Sequence, residues 1–243
     1  MKSVIPMRFL AFTAIPIALT CTTAASATAP SDAEVSRRLA FIEARLSNGA
    51  AKANLWWHTW YFGWTALSMG QFVWALATPD KDTRVDMAVG AAASTLGVIP
   101  LGILPFPART APGNLARMPA GSPEERRRKL VYAEHLLESA ASDEKLRRSW
   151  VNHATSIGVS VAVGLVLGIG YGRPRTGLLN ALGGIALSEI QIWTMPTAAI
   201  TDFAEYQKLD PNNIPRASST PKPLPISISV GPHAGGLSLV GSF

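Results

Sequence analysis

The sequence predicts an all-α protein, a membrane-associated helical bundle with about four apolar helices, amphipathic helices and a short C-terminal β-hairpin. Three observations lead there. Residues 54–77, 87–108, 152–172 and 177–200 are apolar and long enough to cross a bilayer, which takes about 20 residues at about 1.5 Å rise each. The segments between them carry helix-start signals. Strict apolar/polar alternation occurs only in the last residues.

Residues 1–27 have the layout of a secretory signal peptide. Lys2 and Arg8 make a positive start, residues 9–19 an apolar middle, and Ala25-Ser26-Ala27 a small-residue cleavage site. An uncleaved anchor is the alternative, and Cys21 after Ala18-Leu19-Thr20 is a poor match to a lipobox. Cys21 is the only cysteine, so cleavage leaves none. That excludes intramolecular disulfides, thiolate catalysis and Cys-ligated zinc in the remaining chain.

Residues 28–209 are expected to form the helical bundle. Ser31 is a candidate N-cap with Glu34 at the capping-box spacing, and Glu34 can pair with Arg38 one turn on. Val35, Leu39, Ile42 and Leu46 line one face of this helix, and Asn48-Gly49 supplies a stop. The first apolar stretch follows. Trp56, Trp60 and Trp64 fall on one side of it, which suits either an interfacial belt with Trp57 and Trp74 or a buried seam. A polar turn over 78–86 predicts an antiparallel hairpin with the second stretch. Pro100 should kink that helix, and Pro105 and Pro107 should end it. Residues 109–121 read as a Pro/Gly-punctuated loop.

Ser122-Pro123-Glu124-Glu125 is a strong helix start, and the helix should run to about Ala141. Ser142-Asp143-Glu144 then restarts a helix that passes through Trp150 into the third apolar stretch. There Ser160, Gly164, Gly168 and Gly172 recur every four residues, a row that lets two backbones approach closely. Each glycine weakens a helix by about 1 kcal/mol relative to alanine, so close packing must offset the loss. Gly168 is expected to lie in a helix–helix contact, so that Gly168→Leu should disrupt folding or self-association far more than Leu167→Ala. A tight turn leads to the fourth stretch, and 202–209 continues as polar helix. Residues 210–225 form a Pro-rich linker, and 226–243 alternate as a β-hairpin. The terminal Phe243 after an alternating strand resembles the C-terminal signature of outer-membrane barrel proteins, although one hairpin is no barrel.

Glu189 is the first candidate for function, because a carboxyl in the middle of a span needs a partner or a proton. Asn180, Gln191 and Thr194 share its helix, and His58 on the first span could reach it. Such a pair would permit proton transfer; the simpler reading is a hydrogen bond that joins helices. Metal ligation by Glu189 with His58 or His153 is the remaining alternative; no HExxH spacing supports it, and no cofactor is implied. The run from Gly168 to Arg175 lacks Walker spacing, and no Gly-x-Ser-x-Gly elbow occurs. His135 and His233 read as solvated.

The net charge of +6 suits anionic lipid headgroups or a wall polymer better than nucleic acid, given an exported chain. An outward N-terminus would leave 80–86 and 173–175 inside and the basic segment 109–149 outside, against the positive-inside tendency. The mean hydropathy of only +0.20 also allows a peripheral or partly soluble bundle. The expected role is that of a non-enzymatic structural or interaction component of a bacterial-type envelope. The inner membrane is its expected place, with the outer membrane or periplasm as alternatives. Lipid bilayer, other envelope proteins or a second copy of the chain are its expected partners. A small transporter or channel component using Glu189 and His58 is the second reading, and a membrane-bound enzyme the third.

Overall fold

The computed structural model describes residues 30–209 and the backbone of two strands, Ser227–His233 and Gly236–Ser242. The expected signal segment 1–27 and the linker 210–225 lie outside the described residues. Seven α-helices follow in order: α1 Asp32–Ala77, α2 Lys81–Ile103, α3 Pro107–Ala116, α4 Pro123–Arg147, α5 Trp150–Leu165, α6 Pro174–Trp193 and α7 Ala198–Leu209. The two strands, β1 and β2, pair antiparallel with Val230 opposite Leu239.

Helix α1 has 46 residues, about 70 Å of continuous helix. It passes straight through Asn48-Gly49, which the sequence suggested would end it. Gly49 ends nothing because both flanks are held: Leu46 and Ala53 are buried, and the Gly49 backbone faces Ala198. Tertiary packing outweighs a local propensity difference of about 1 kcal/mol.

Asp80 caps α2 by accepting the Thr83 N–H, and the polar turn folds α2 back along α1. Their register is set by small polar groups: Ser68 donates to the Ala91 carbonyl, Ser94 to Gln71 and the Trp57 indole to the Leu101 carbonyl. Where a loop was expected after Pro107, the chain forms α3. Pro107 sits at its start, where the missing N–H is no loss, and Ala108, Ala111 and Leu115 form a buried stripe. Burial of that stripe overrides the breaker signal of Pro112 inside the helix.

Helix α4 opens with a full capping box, Ser122 and Glu125 exchanging both hydrogen bonds. It does not break at Ser142. Ala140, Ala141 and Glu144 continue one buried face, and the helix ends only at Arg147. Helix α5 widens into a π-helical turn at Val166–Gly170 before Gly172 takes a left-handed φ of +66° in the turn to α6.

Two kinds of region result. The first half of α1, with α3, α4 and α7, builds a water-type core. Val35, Leu39, Ile42 and Leu46 meet Ala111, Leu115, Leu130, Ala133, Leu137 and Tyr206 there. Leu137 is fully buried, so Leu137→Ala should cost about 2–5 kcal/mol. Ion pairs surround this core: Arg127 with Asp32, Lys129 with Glu43, and Arg45 with Asp202 and Glu205. The second half of α1, with α2, α5 and α6, is apolar on its outside instead. By length and composition, Lys81–Ala116 and Trp150–Gly170 are apolar enough to cross a membrane. Residues 54–77 and 177–200, two of the four expected spans, do not reach that mark. Trp56, Gln71, Asn180, Glu189 and Gln191 dilute them.

Candidate functional site

Glu189 lies on the face of α6 that meets α5. Its Oε2 is 2.7 Å from Nδ1 of His153, and both side chains are partly buried. The His153 ring also packs against Trp193, with centroids 5.8 Å apart. Glu189 Oε1 is buried and has no hydrogen-bond partner. The pair therefore has room for one more proton or one more donor.

The partner is His153 and not His58. On α1, His58 lies two residues from both Trp56 and Trp60, and two residues turn a helix by about 200°. Trp56 and Trp60 face α6, so His58 faces away. It contacts the carbonyl of Asn54 on its own helix and stacks on Phe62. Asn180 likewise bonds its own helix, donating to the Thr176 carbonyl. Gln191 meets the tryptophan stripe: Oε1 accepts the Trp64 indole N–H at 3.0 Å, and its carbonyl accepts that of Trp56 at 3.2 Å. The Trp60 indole reaches the Thr194 hydroxyl. Three indoles thus join α1 to the end of α6.

Expected beside Glu189 only as an alternative metal ligand, His153 takes the place given to His58. It precedes Ser160 by seven and Gly164 by eleven residues, which is the same helical face. A row read as packing α5 against α6 therefore also aimed His153 at α6.

That row is tight at some positions and open at others. A Cβ on Gly164 would stand 2.7 Å from the Gly177 carbonyl oxygen and 2.8 Å from the Ala181 Cβ. Gly177 in turn abuts the Gly164 carbonyl, and a Cβ on Gly184 would meet the Ser160 hydroxyl at 2.8 Å. Gly168 lies in the contact through its backbone, since a Cβ on Gly177 would stand 2.7 Å from Gly168 N, but its own Cβ would be 3.6 Å from the Pro174 Cα, an ordinary contact. Gly172 serves the turn and not the groove. Leu167, expected to matter less, is fully buried.

A second carboxyl deserves equal weight on structural grounds. Glu144 is 1% exposed and accepts the Ile200 N–H at 3.1 Å, so it closes the first turn of α7. Burial pushes its carboxyl up to about 7; the N–H bonds from Ile200 and Ala199 oppose this, and Asp143 and Asp202 add to it. A cavity of about 10 Å³, the size for one water, lies between Glu144, Asp202, Arg45, Gly49, Ala108 and Ala199. Sequence reasoning saw Glu144 only as part of a helix restart.

Among the described residues, no group of three or more His, Cys, Asp or Glu side chains is placed to hold a metal ion. Comparison with known protein families, with curated proteins and with solved structures yields no match to this chain.

Proposed function

We propose that this chain is a non-enzymatic membrane protein of a bacterial-type cell envelope, acting in structure or interaction. The apolar halves of α1, α2, α5 and α6 sit in the bilayer. The ion-paired region of α3, α4, α7 and the first half of α1 stands at the surface, available to partner proteins or a second copy. Signal peptide, linker and C-terminal hairpin suit an exported protein, with the inner membrane as its place.

One observation carries this reading. Among the described residues, all the exposed large hydrophobic side chains except Val131, Leu146 and Leu209 lie on residues 55–76, 96–104, 150–171 and 178–193. Phe72, Val73, Trp74 and Leu76 are each more than half exposed, as are Leu178, Leu179 and Leu182. Only 22% of the most apolar part of Lys81–Ala116 and 17% of that of Trp150–Gly170 is buried inside the protein. Water-exposed monomers rarely carry apolar surface on this scale. Lipid is the solvent that removes the penalty.

Alkaline carbonate extraction of fractionated envelopes tests it. The protein should stay in the pellet and co-fractionate with the inner membrane. Release into the supernatant would refute a spanning bundle.

The Glu189–His153 pair favours a second reading, a small transporter or channel component that handles protons. A carboxylate and an imidazole in contact within apolar helices are suited to passing a proton. Proton flux into proteoliposomes that vanishes in Glu189→Gln would support it, and absence of flux in the unaltered protein would dismiss it.

A further inference from the structure

We propose that Arg109 and Arg148 form a binding level for the phosphates of anionic phospholipids, each guanidinium seated on a tryptophan where the apolar helices end. The proposal rests on the membrane reading above and adds a ligand and two binding residues to it.

The Arg109 guanidinium lies 3.8 Å from the ring centroid of Trp57 and donates to the Asn54 side-chain oxygen. Arg148 lies 5.4 Å from the Trp193 ring centroid and donates to the Met195 carbonyl at 3.1 Å. Among the described residues neither has a carboxylate partner; both remain partly exposed. Arg147, next to Arg148, shows the contrast. It sits over Phe106 in the same manner, but Asp143 meets its charge at 2.8 Å.

The two unmatched cations share one height along α1. Trp57 carries Arg109, while Trp56 and Trp60 on either side of it bond Gln191 and Thr194. Arg148 reaches the carbonyls of Trp193 and Met195, the residues that bracket Thr194. Towards the far turns from this height the surface is apolar, and on the other side lies the ion-paired region. Trp150 and Trp193 are 77% and 66% exposed here, as tryptophans at a headgroup boundary should be.

A planar guanidinium presents paired N–H donors that match phosphate oxygens, which a zwitterionic surface offers at lower net charge. The ring beneath each arginine limits its rotamers and leaves its outer N–H groups free. Little ordering is then needed when a phosphate arrives.

The test uses the full chain, purified in detergent and titrated with vesicles of phosphatidylcholine alone or mixed with phosphatidylglycerol. In each titration one lipid brominated near the headgroup, phosphatidylcholine in the pure vesicles and phosphatidylglycerol in the mixed ones, serves as quencher of tryptophan fluorescence. The unaltered protein should prefer the anionic vesicles, and Arg109→Gln and Arg148→Gln should each lower that preference about fivefold. The ratio of anionic to zwitterionic affinity is the readout, so partial misfolding of a variant lowers both terms and leaves the ratio informative. Arg109→Lys and Arg148→Lys should retain part of the preference. An unchanged ratio in both glutamine variants overturns the proposal while leaving the membrane reading intact. Displacement of the quencher by inorganic phosphate at matched ionic strength overturns the lipid assignment. Failure of the unaltered protein to enter either kind of vesicle defeats the membrane reading, and this proposal with it.

Discussion

At the scale of single residues, two carboxyls sit where carboxyls are expensive, and the structure gives each a different partner. Glu144 faces backbone N–H groups, two other carboxylates and Arg45 across a one-water cavity. Its carboxyl titrates near 7 when folded and near 4.5 when unfolded. Below about 4.5 it is protonated in both states and adds no pH dependence. Between 4.5 and 7 the unfolded chain releases the proton first, so stability should fall as pH rises through this window. Melting temperature in detergent should therefore decline from acid to neutral pH, and Glu144→Gln should flatten the slope. A slope unchanged in the variant would mean that another group titrates. Glu189 is different, because its partner is a single side chain. Removing either Glu189 or His153 strands the other, so Glu189→Gln and His153→Phe together should destabilise less than the sum of the two. A coupling of about 0.5–3 kcal/mol is expected from thermal melts of singles and double. Strict additivity would show that the pair contributes nothing direct.

At the scale of elements, α5 and α6 are held together by missing side chains. Leucine at Gly164 would drive into the Gly177 backbone, whereas a Cβ on Gly183 meets nothing within 4 Å. Gly164→Leu should lower the melting temperature of the extracted protein sharply and Gly183→Leu hardly at all. Similar losses from both would mean that the groove is not where α5 and α6 touch. The sequence made the Ser160–Gly164 row visible because small residues at spacing four have few other uses in an apolar helix. It could not show which glycine is tightest. That depends on the partner strip of Gly177, Ala181 and Gly184, whose spacing is irregular. The Ser122–Glu125 cap was legible for a related reason: both halves of a capping box lie within one turn. Breaks were less legible. Asn48-Gly49, Pro112 and Ser142 all carry local signals to stop, and in each case a buried face on the same helix continues past them. The choice of His153 over His58 as partner of Glu189 was not legible, because pairing across two helices needs their rotation, which only the contact supplies.

At the scale of the whole helical unit, the order of elements fixes which parts lie at the same end of the long helices, and in the proposed bilayer placement these share a side. From the ion-paired region, α1 leads to the turn before Lys81, α2 returns, α5 leads to the turn at Gly172, and α6 returns. Both turns are thus on one side, joined by the Arg173–Asp86 ion pair at 2.9 Å. The region of α3, α4 and α7 is on the other. Charge alone does not favour placing that region outside, since Arg126, Arg127, Arg128 and Lys129 open α4. In the folded protein Arg127, Arg128 and Lys129 are paired with Asp32, Glu124 and Glu43. Under the proposed export those pairs cannot help, because an unfolded segment crosses before they form. In that proposal orientation is set earlier, by the expected signal segment 1–27, because the first segment usually dominates. With that segment directing the following chain outward, the two turns should face the cytoplasm. Single cysteines can test this in a Cys21→Ser background, with Ala116→Cys marking the ion-paired region and Pro79→Cys the first turn, both exposed positions. A membrane-impermeant maleimide should label Ala116→Cys in cells whose outer barrier is opened, and Pro79→Cys only after the inner membrane is breached. The reverse pattern would show that the basic start of α4 overrides the first segment. Labelling of both before the breach would mean that α1 and α2 do not cross.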